Sequence, residues 1–302
     1  MSSVSFIIPV FNKSLYLKHV INSISSQKGD FDREYIFIDD GSTDGSLKIL
    51  KKETRKLKNC KIISQENKGS ANATNVGINL AKMKYIKFLD ADDIILSNAT
   101  FCLLKLLEKN KRSVLAYGLQ RKVSNIKSVN LDEDFDCNET FVIKKPTLLA
   151  MRNSMFNPSQ FLVRRKLCQI VGGCDERVIH SQEYSLTLRL SRLGNFIKLN
   201  YPIAILPINA PGQISEKKNN QIYRVSKALE LFVKENDDLS LFAKLYATRR
   251  LTARSWRFAR RISNSSVFSI WFLLYMLGLL RFPFFKNEIC FHANKIYEKF
   301  LD

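Results

Sequence analysis

Two apolar runs in this chain end on carboxylates, and that ending restricts the fold more than any other feature. Glu34-Tyr-Ile-Phe-Ile-Asp-Asp40 stops at Gly41, and Tyr85-Ile-Lys-Phe-Leu89 runs directly into Asp90-Ala-Asp-Asp93. Both read as buried β-strands, because short β-rich runs bounded by turn chemistry suit a covered sheet. Around them the spacing turns helical. Leu15, Leu17, Val20, Ile21 and Ile24 recur within residues 14–27. Ser42, Thr43 and Asp44 supply N-cap chemistry for a helix through about Lys58. Val4–Val10, with Pro9 near its end, and Lys61–Ser64 are further strands; residues 70–82 and 97–110 read as helices, and 113–119 as a strand. This alternation predicts βαβ units: an α/β fold of Rossmann-like type, with a mostly parallel sheet and helices on both faces. In such sheets ligands bind outside the carboxyl ends of the strands, where both acidic clusters fall.

Further along, residues 120–145 are polar and read as a loop carrying the acidic run Asp132, Glu133, Asp134 and Asp136. An apolar pattern returns over 159–171, Gly172-Gly173 punctuates it, and Gln182–Leu193 has helical spacing. Beyond Pro211-Gly212 only helical patterns remain. The expected organisation is an α/β domain over residues 1–210 and an all-helical segment over 211–302.

Lys and Arg number 48 against 28 Asp and Glu, a net charge of +20 that favours an anionic partner. The six cysteines form no CxxC pair or His/Cys metal spacing, so reduced thiols in a cytoplasmic protein are expected. Val4–Val10 is too short for a signal-peptide core and lacks a basic flank. A secreted disulfide scaffold and a zinc-finger module are thereby excluded.

Asp90, Asp92 and Asp93 place three carboxylates in four positions. Such charges repel unless a cation or protonation relieves them. A hard divalent ion, its shell completed by phosphate oxygens, suits the arrangement; acidic residues complementing a helix N-terminus are the alternative.

The ordered set Phe6-Ile-Ile-Pro-Val-Phe-Asn12, Ile36-Phe-Ile-Asp-Asp-Gly-Ser-Thr-Asp44, Asn67-Lys-Gly69, Asn75-Val-Gly-Ile78 and Tyr85–Asp93 resembles glycosyltransferase family 2. A weaker continuation runs through Asn157-Pro-Ser-Gln160, Gly172-Gly-Cys-Asp175 and Gln182-Glu-Tyr-Ser-Leu-Thr-Leu-Arg189. The resemblance implies a GT-A fold, a nucleotide-diphosphate sugar donor and inversion at the anomeric carbon. Carried over by position, Asp40 meets the nucleobase with Asp39 supporting that pocket, and Pro9, Asn12 and Asn75 belong to the nucleotide-sugar site. Asp90 and Asp92 are the DXD pair holding ribose and a divalent cation, Mn²⁺ or Mg²⁺, with Asp93 as a substitute metal ligand. Where relatives commonly place Glu-Asp, this chain has Gln182-Glu183, so Glu183 takes the catalytic-base position. A surface Glu in a first helical turn is the alternative there, and Asp175 the alternative base. Thr74 stands where many relatives carry Arg, which leaves the nucleotide open. Gln221-Ile-Tyr-Arg-Val225 has Val in place of the Trp of processive synthases and reads as a helical face, so transfer of one sugar is expected.

In the tail, Arg249, Arg250, Arg254, Arg257, Arg260 and Arg261 precede 19 uncharged residues, Ile262–Leu280. The apolar part, Val267–Leu280, makes roughly 21 Å of helix, short of the about 30 Å hydrocarbon core. An interfacial or re-entrant helix is expected, with residues 249–285 against an anionic membrane surface and Trp271, Tyr275 and Phe282 at the interface. The expected setting is cytoplasmic, peripheral or monotopic at the inner face of the cell membrane. The expected acceptor is a lipid-linked or lipopolysaccharide-type glycan. A soluble or protein acceptor with the tail as an oligomer contact, and a catalytically silent binding subunit, are the alternatives. Nucleic acid is not an expected partner, because the acidic strand ends repel phosphate in the absence of a metal.

Overall fold

A computed structural model describes residues 2–178, 182–208, 218–280 and 292–297. The chain divides into two compact units. The first comprises Met1–Pro146, Phe156–Glu176 and Leu190–Gln213; the second comprises Thr147–Met155, Arg177–Arg189 and Ile214–Asp302. The boundary expected near residue 211 falls outside the described residues, and the second unit draws on two earlier stretches as well as the tail.

The first unit is built on a sheet that has nine strands among the described residues. They are β1 (Ser3–Val10), β2 (Asp32–Asp40), β3 (Cys60–Gln65), β4 (Tyr85–Phe88), β5 (Ile94–Ile95), β6 (Ser113–Val123), β7 (Thr140–Ile143), β8 (Phe161–Arg164) and β9 (Asn195–Pro207). The order is β3-β2-β1-β4-β8-β6-β9-β5, with β7 pairing β9. Strands β3, β2, β1 and β4 are mutually parallel and β6 is parallel to β9; β8, β5 and β7 join antiparallel. The expected α/β architecture is present.

Helices α1 (Leu17–Ser25), α2 (Ser46–Glu53), α3 (Ser70–Leu80) and α4 (Ala99–Lys109) follow strands as expected. Helix α1 buries Leu17, Val20, Ile21 and Ile24, one face at 3.6-residue spacing, against Phe6, Ile8 and Tyr35 of the sheet. Helix α2 ends at Glu53 rather than Lys58, because Thr54–Lys56 tighten into a 3₁₀ turn. Helix α3 approaches β1 closely at Gly77, where a Cβ would lie 2.3 Å from Ile7 Cγ2.

The 120–145 loop needs correction. Strand β6 continues to Val123 with alternating exposure, and β7 lies within the same stretch. Gln120, Arg121 and Lys122 follow one another in β6, so composition alone resembles a loop. The cysteine expectation also needs correction for one pair. Cys102 of α4 and Cys137 are joined as a disulfide with Cα atoms 5.9 Å apart.

In the second unit, α5 (Thr147–Arg152), which precedes the short α6 (Arg165–Ile170) of the first unit, packs with α7 (Gln182–Leu190), α8 (Lys218–Lys234) and α9 (Leu241–Ile262). Ala150, Met151, Tyr184, Leu188, Leu229, Phe232, Ala247 and Leu251 form its core. A smaller cluster gathers Trp256, Phe258 and Tyr297 with Trp271, Phe272 and Tyr275 of α10 (Ile270–Leu280) or the segments beside it.

Candidate functional site

Strand β1 lies between β2 and β4, both parallel to it, so three carboxyl ends stand side by side. Asp39 and Asp40 finish β2, Pro9 through Asn12 leave β1, and Asp90–Asp93 leave β4. The topology therefore brings together seven of the sequence-chosen positions: Pro9, Asn12, Asp39, Asp40, Asp90, Asp92 and Asp93.

The loops after β1 and β2 are bonded to each other. Asn12 adopts a left-handed φ of 52° and accepts the Thr43 N–H at 2.8 Å, while its own N–H reaches Ser42 Oγ at 3.0 Å. Lys13 N–H donates to Ser46 Oγ at 2.9 Å, and Ser14 N–H donates to Asp44 at 2.9 Å. This fixes the backbone of Lys13, whose ammonium sits 2.7 Å from Asp92 Oδ2, with both side chains under 15% exposed. Opposite charges this close and this shielded from water attract strongly.

Asp40 is buried, and both its oxygens are engaged. Oδ1 accepts from Lys68 N–H and the Gln65 amide, and Oδ2 accepts from Gly69 N–H, at 2.8–2.9 Å. Asp39 accepts only from Ser64 Oγ at 3.2 Å among the described contacts, and its buried Oδ1 has no partner. A buried acceptor without a donor is costly, and an incoming N–H relieves it. Asp39, expected to support the pocket, thus has the oxygen that lacks a partner.

Under the Asp90–Asp93 turn lies a polar cluster that sequence reasoning missed. Lys87 is fully buried and donates to the carbonyls of Phe88 at 2.8 Å and Ser159 at 2.6 Å. Ser159 Oγ donates to Asp93 at 2.6 Å and accepts the Asp90 N–H at 3.0 Å. Burial pushes the Lys87 ammonium down to about 7. Burial, then the neighbouring Asp90 and Asp92 charges, raises Asp93 well above the ordinary carboxyl range. Asp93 is therefore turned inward as part of the turn's support. The signal for Lys87 was present in the sequence: one charge within an apolar strand run.

Asn75 is committed to the loop after α6. Its amide donates to Cys174 O at 2.9 Å and Glu176 at 2.7 Å, and accepts Cys174 N–H at 2.7 Å. Asn72 donates to the other oxygen of Glu176 at 3.0 Å. Hydrogen bonds from Asn72 and Asn75 hold the Glu176 carboxyl below its usual range. Thr74 turns its hydroxyl back onto Ser70 O at 2.7 Å, and the exposed Lys68 engages Asp40 through its backbone alone among the described contacts.

Glu183 belongs to the second unit, in the first turn of α7. Its carboxylate accepts from Ser154 Oγ at 3.4 Å, and burial pushes its acid up to about 7. Asp175 is half-buried in the loop beside Glu176. The Gln182 and Gln221 side chains, Phe282 and the rest of 281–285 lie outside what is described.

Among the described residues no group of three His, Cys, Asp or Glu side chains is arranged to hold a metal. Asp90 and Asp92 nevertheless suit a hard cation that takes the rest of its shell from water and phosphate. The Lys13 ammonium on Asp92 is a cation standing at that position.

Known proteins resemble this chain in sequence and in fold. The family described as Glycosyl transferase family 2 matches residues 5–171, more than half of the chain. A chondroitin synthase of Pasteurella multocida (strain Pm70) is 29% identical over 198 residues, 65% of this chain but 20% of the synthase. Glycosyltransferase GlyG of Streptococcus pneumoniae serotype 4 is 30% identical over 164 residues, 53% of this chain and 54% of that protein. The chain thus matches about a fifth to about half of the length of these relatives. The crystal structure of S. aureus TarS 1–349 in complex with UDP-GlcNAc shares the fold at a TM-score of 0.68 and 17% identity, covering 99% of this chain and 91% of that one. A mannosyltransferase from Pyrobaculum calidifontis, in complex with GDP-Man and Mn²⁺, superposes at a TM-score of 0.59 and 15% identity, covering 98% and 86%.

Proposed function

This chain belongs to glycosyltransferase family 2, and on that premise we propose that it is a divalent-cation-dependent, inverting transferase that moves one sugar from a nucleoside-diphosphate sugar to a glycan acceptor. The supporting observation is the edge where β1, β2 and β4 deliver Asn12, Asp39, Asp40, Asp90 and Asp92 side by side. Asp39 and Asp40 form the floor that receives the nucleobase, with Asp39 Oδ1 as the acceptor still lacking a donor. Asp90 and Asp92 would hold the cation, which supplies charge neutralisation at the departing diphosphate. Asp93, Ser159 and Lys87 hold the turn that aims those two carboxylates. Asn75 and Glu176 act by fixing the loop after α6.

Glu183 is the base that takes the acceptor hydroxyl proton. An acid near 7 matches a group that must be ionised to accept a proton and then hold it during the displacement. Names of relatives such as the chondroitin synthase, and the poly-β-1,6-N-acetyl-D-glucosamine synthase of Staphylococcus epidermidis, support a role in polysaccharide biosynthesis. We assign the acceptor to the lipid-linked oligosaccharide or lipopolysaccharide type. The UDP and GDP sugars bound by the two structural neighbours define the donors to try first.

The test is a donor-hydrolysis and transfer screen of nucleotide sugars with Mn²⁺, Mg²⁺ or chelator, on the parent chain and Glu183→Gln. Turnover that requires the cation and is lost in the variant is expected. Equal turnover in chelator would overturn the Asp90/Asp92 assignment.

A further inference from the structure

The tail divides its arginines and aromatics in a way that composition does not reveal. Arg254 is 6% exposed and donates to Val225 O at 3.1 Å and Arg152 O at 3.3 Å; Arg250 donates to Arg152 O and to Asn153 Oδ1. These two arginines are internal ties. The aromatic residues Trp271, Phe272 and Tyr275 also turn inward, with Trp256 and Phe272 rings 5.1 Å apart. Trp271 and Tyr275, expected at a membrane interface, are partly buried in this cluster, and a different set of side chains is more exposed.

That set is the tip joining α9 to α10. Phe268 is 96% exposed, and Val267, Ile270, Leu273 and Ile262 are exposed apolar neighbours in the chain. Arg257, Arg260 and Arg261 are exposed on the last turns of α9, immediately before the tip. No Asp or Glu occurs between Asp238 and Arg281, so nothing acidic in the sequence of α9, the tip or α10 offsets them. Helix α10 has 11 residues, roughly 16 Å, and no helix among the described residues is long and apolar enough to cross a membrane.

We propose that the α9–α10 tip is a bilayer-insertion element: Phe268, Val267 and Ile270 enter the headgroup–acyl boundary while Arg257, Arg260 and Arg261 engage anionic phospholipid headgroups. Aliphatic and aromatic side chains with no hydrogen-bonding capacity gain from an acyl environment, and adjacent arginines gain from anionic lipid. A second copy fits poorly, because a two-fold contact of this tip with itself brings together two patches that carry arginines and no Asp or Glu. A nucleic-acid backbone would pair the arginines but leave Val267, Ile262 and Ile270 against phosphate and water. The inference deepens the acceptor assignment above, naming the surface on which a lipid-linked glycan is met. It rests on that reading only for its purpose.

Flotation of the full chain with phosphatidylcholine vesicles, with and without 30% phosphatidylglycerol, tests it without any sugar donor or acceptor, so its outcome is independent of transfer. Binding is expected to be at least tenfold stronger on the anionic vesicles and to weaken at high salt. Phe268→Ser is expected to lose about tenfold or more. Arg260→Gln with Arg261→Gln is expected to lose about thirtyfold. All the changed side chains are exposed, and unchanged thermal melts will report intact folding. Equal binding to neutral and anionic vesicles overturns the proposal, as does full binding by Phe268→Ser. It is equally overturned if Phe268→Ser abolishes a dimer seen by sedimentation, or an RNA gel shift, while vesicle binding is absent.

Discussion

At the scale of single residues, charge placement decides what the site can do. Glu183 near 7 gives a pH dependence with a definite sign. The ionised base is the active form, so kcat/KM is expected to fall about tenfold per pH unit below 7 and to level off above it. A profile of the transfer rate between pH 5 and 9 checks this, and a flat acid limb would remove Glu183 as base. Glu183→Gln keeps the shape without the basicity and is expected to lower kcat by about 10²–10⁴. Lys13 poses a different question, because its ammonium already neutralises Asp92. Lys13→Met removes that competition, so Mn²⁺ is expected to bind about tenfold tighter in the absence of nucleotide, read by calorimetry. Affinity equal to that of the parent would mean that the ammonium does not face the cation site. Lys13 was not legible in the sequence: a lysine after Asn12 is ordinary, and only the bonding of one loop to the other aims it at residue 92. The strand-end placement of Asp39, Asp40, Asp90 and Asp92 was legible because each pair follows a short apolar run.

At the scale of elements, strands β1 to β4 and helices α1 to α4 could be read from periodicity because each has one buried face or two. Strand β9 could not. Its sequence interrupts an apolar pattern with Asn200, Tyr201 and Pro202, and its pairing with β6 carries register shifts that only the sheet reveals. The same holds for β7, four residues whose two central side chains, Phe141 and Val142, are exposed. Loop geometry was partly legible, since Gly172-Gly173 announced a turn. Gly173 has a φ of 68°, and a Cβ there would stand 2.4 Å from Asn75 Oδ1. Gly173→Ala therefore combines a left-handed backbone with a clash against the amide that fixes the loop. It is expected to cost about 1–3 kcal/mol in chemical denaturation. A stability within 0.3 kcal/mol of the parent, as an order-of-magnitude bound for a neutral surface change, would mean that the loop relaxes freely.

At the scale of the molecule, the chain order and the two units do not coincide. A cut after residue 211 looks from composition like a clean removal of the helical tail. The packing says otherwise. Helices α5 and α7 lie upstream of the cut, yet Ala150, Met151, Tyr184 and Leu188 are buried against Leu229, Phe232, Ala247 and Leu251 from downstream. Arg152 loses Arg250 and Arg254, both of which donate to its carbonyl. Exposing that cluster removes the packing that buries α7 and so raises Glu183. The sheet has a core cluster whose described residues, from Val4 to Leu206, all precede the cut. The 1–211 fragment is thus expected to bind a nucleoside diphosphate within about threefold of the parent affinity, because the hydrogen bonds that tie the loops after β1 and β2 lie within the first unit. Its sugar transfer is expected to fall by the same 10²–10⁴ as loss of the base. Binding by calorimetry and transfer by product release separate the two. Parent-level transfer by the fragment would show that α7 keeps Glu183 in place without the tail, against the burial of Tyr184 and Leu188 observed here.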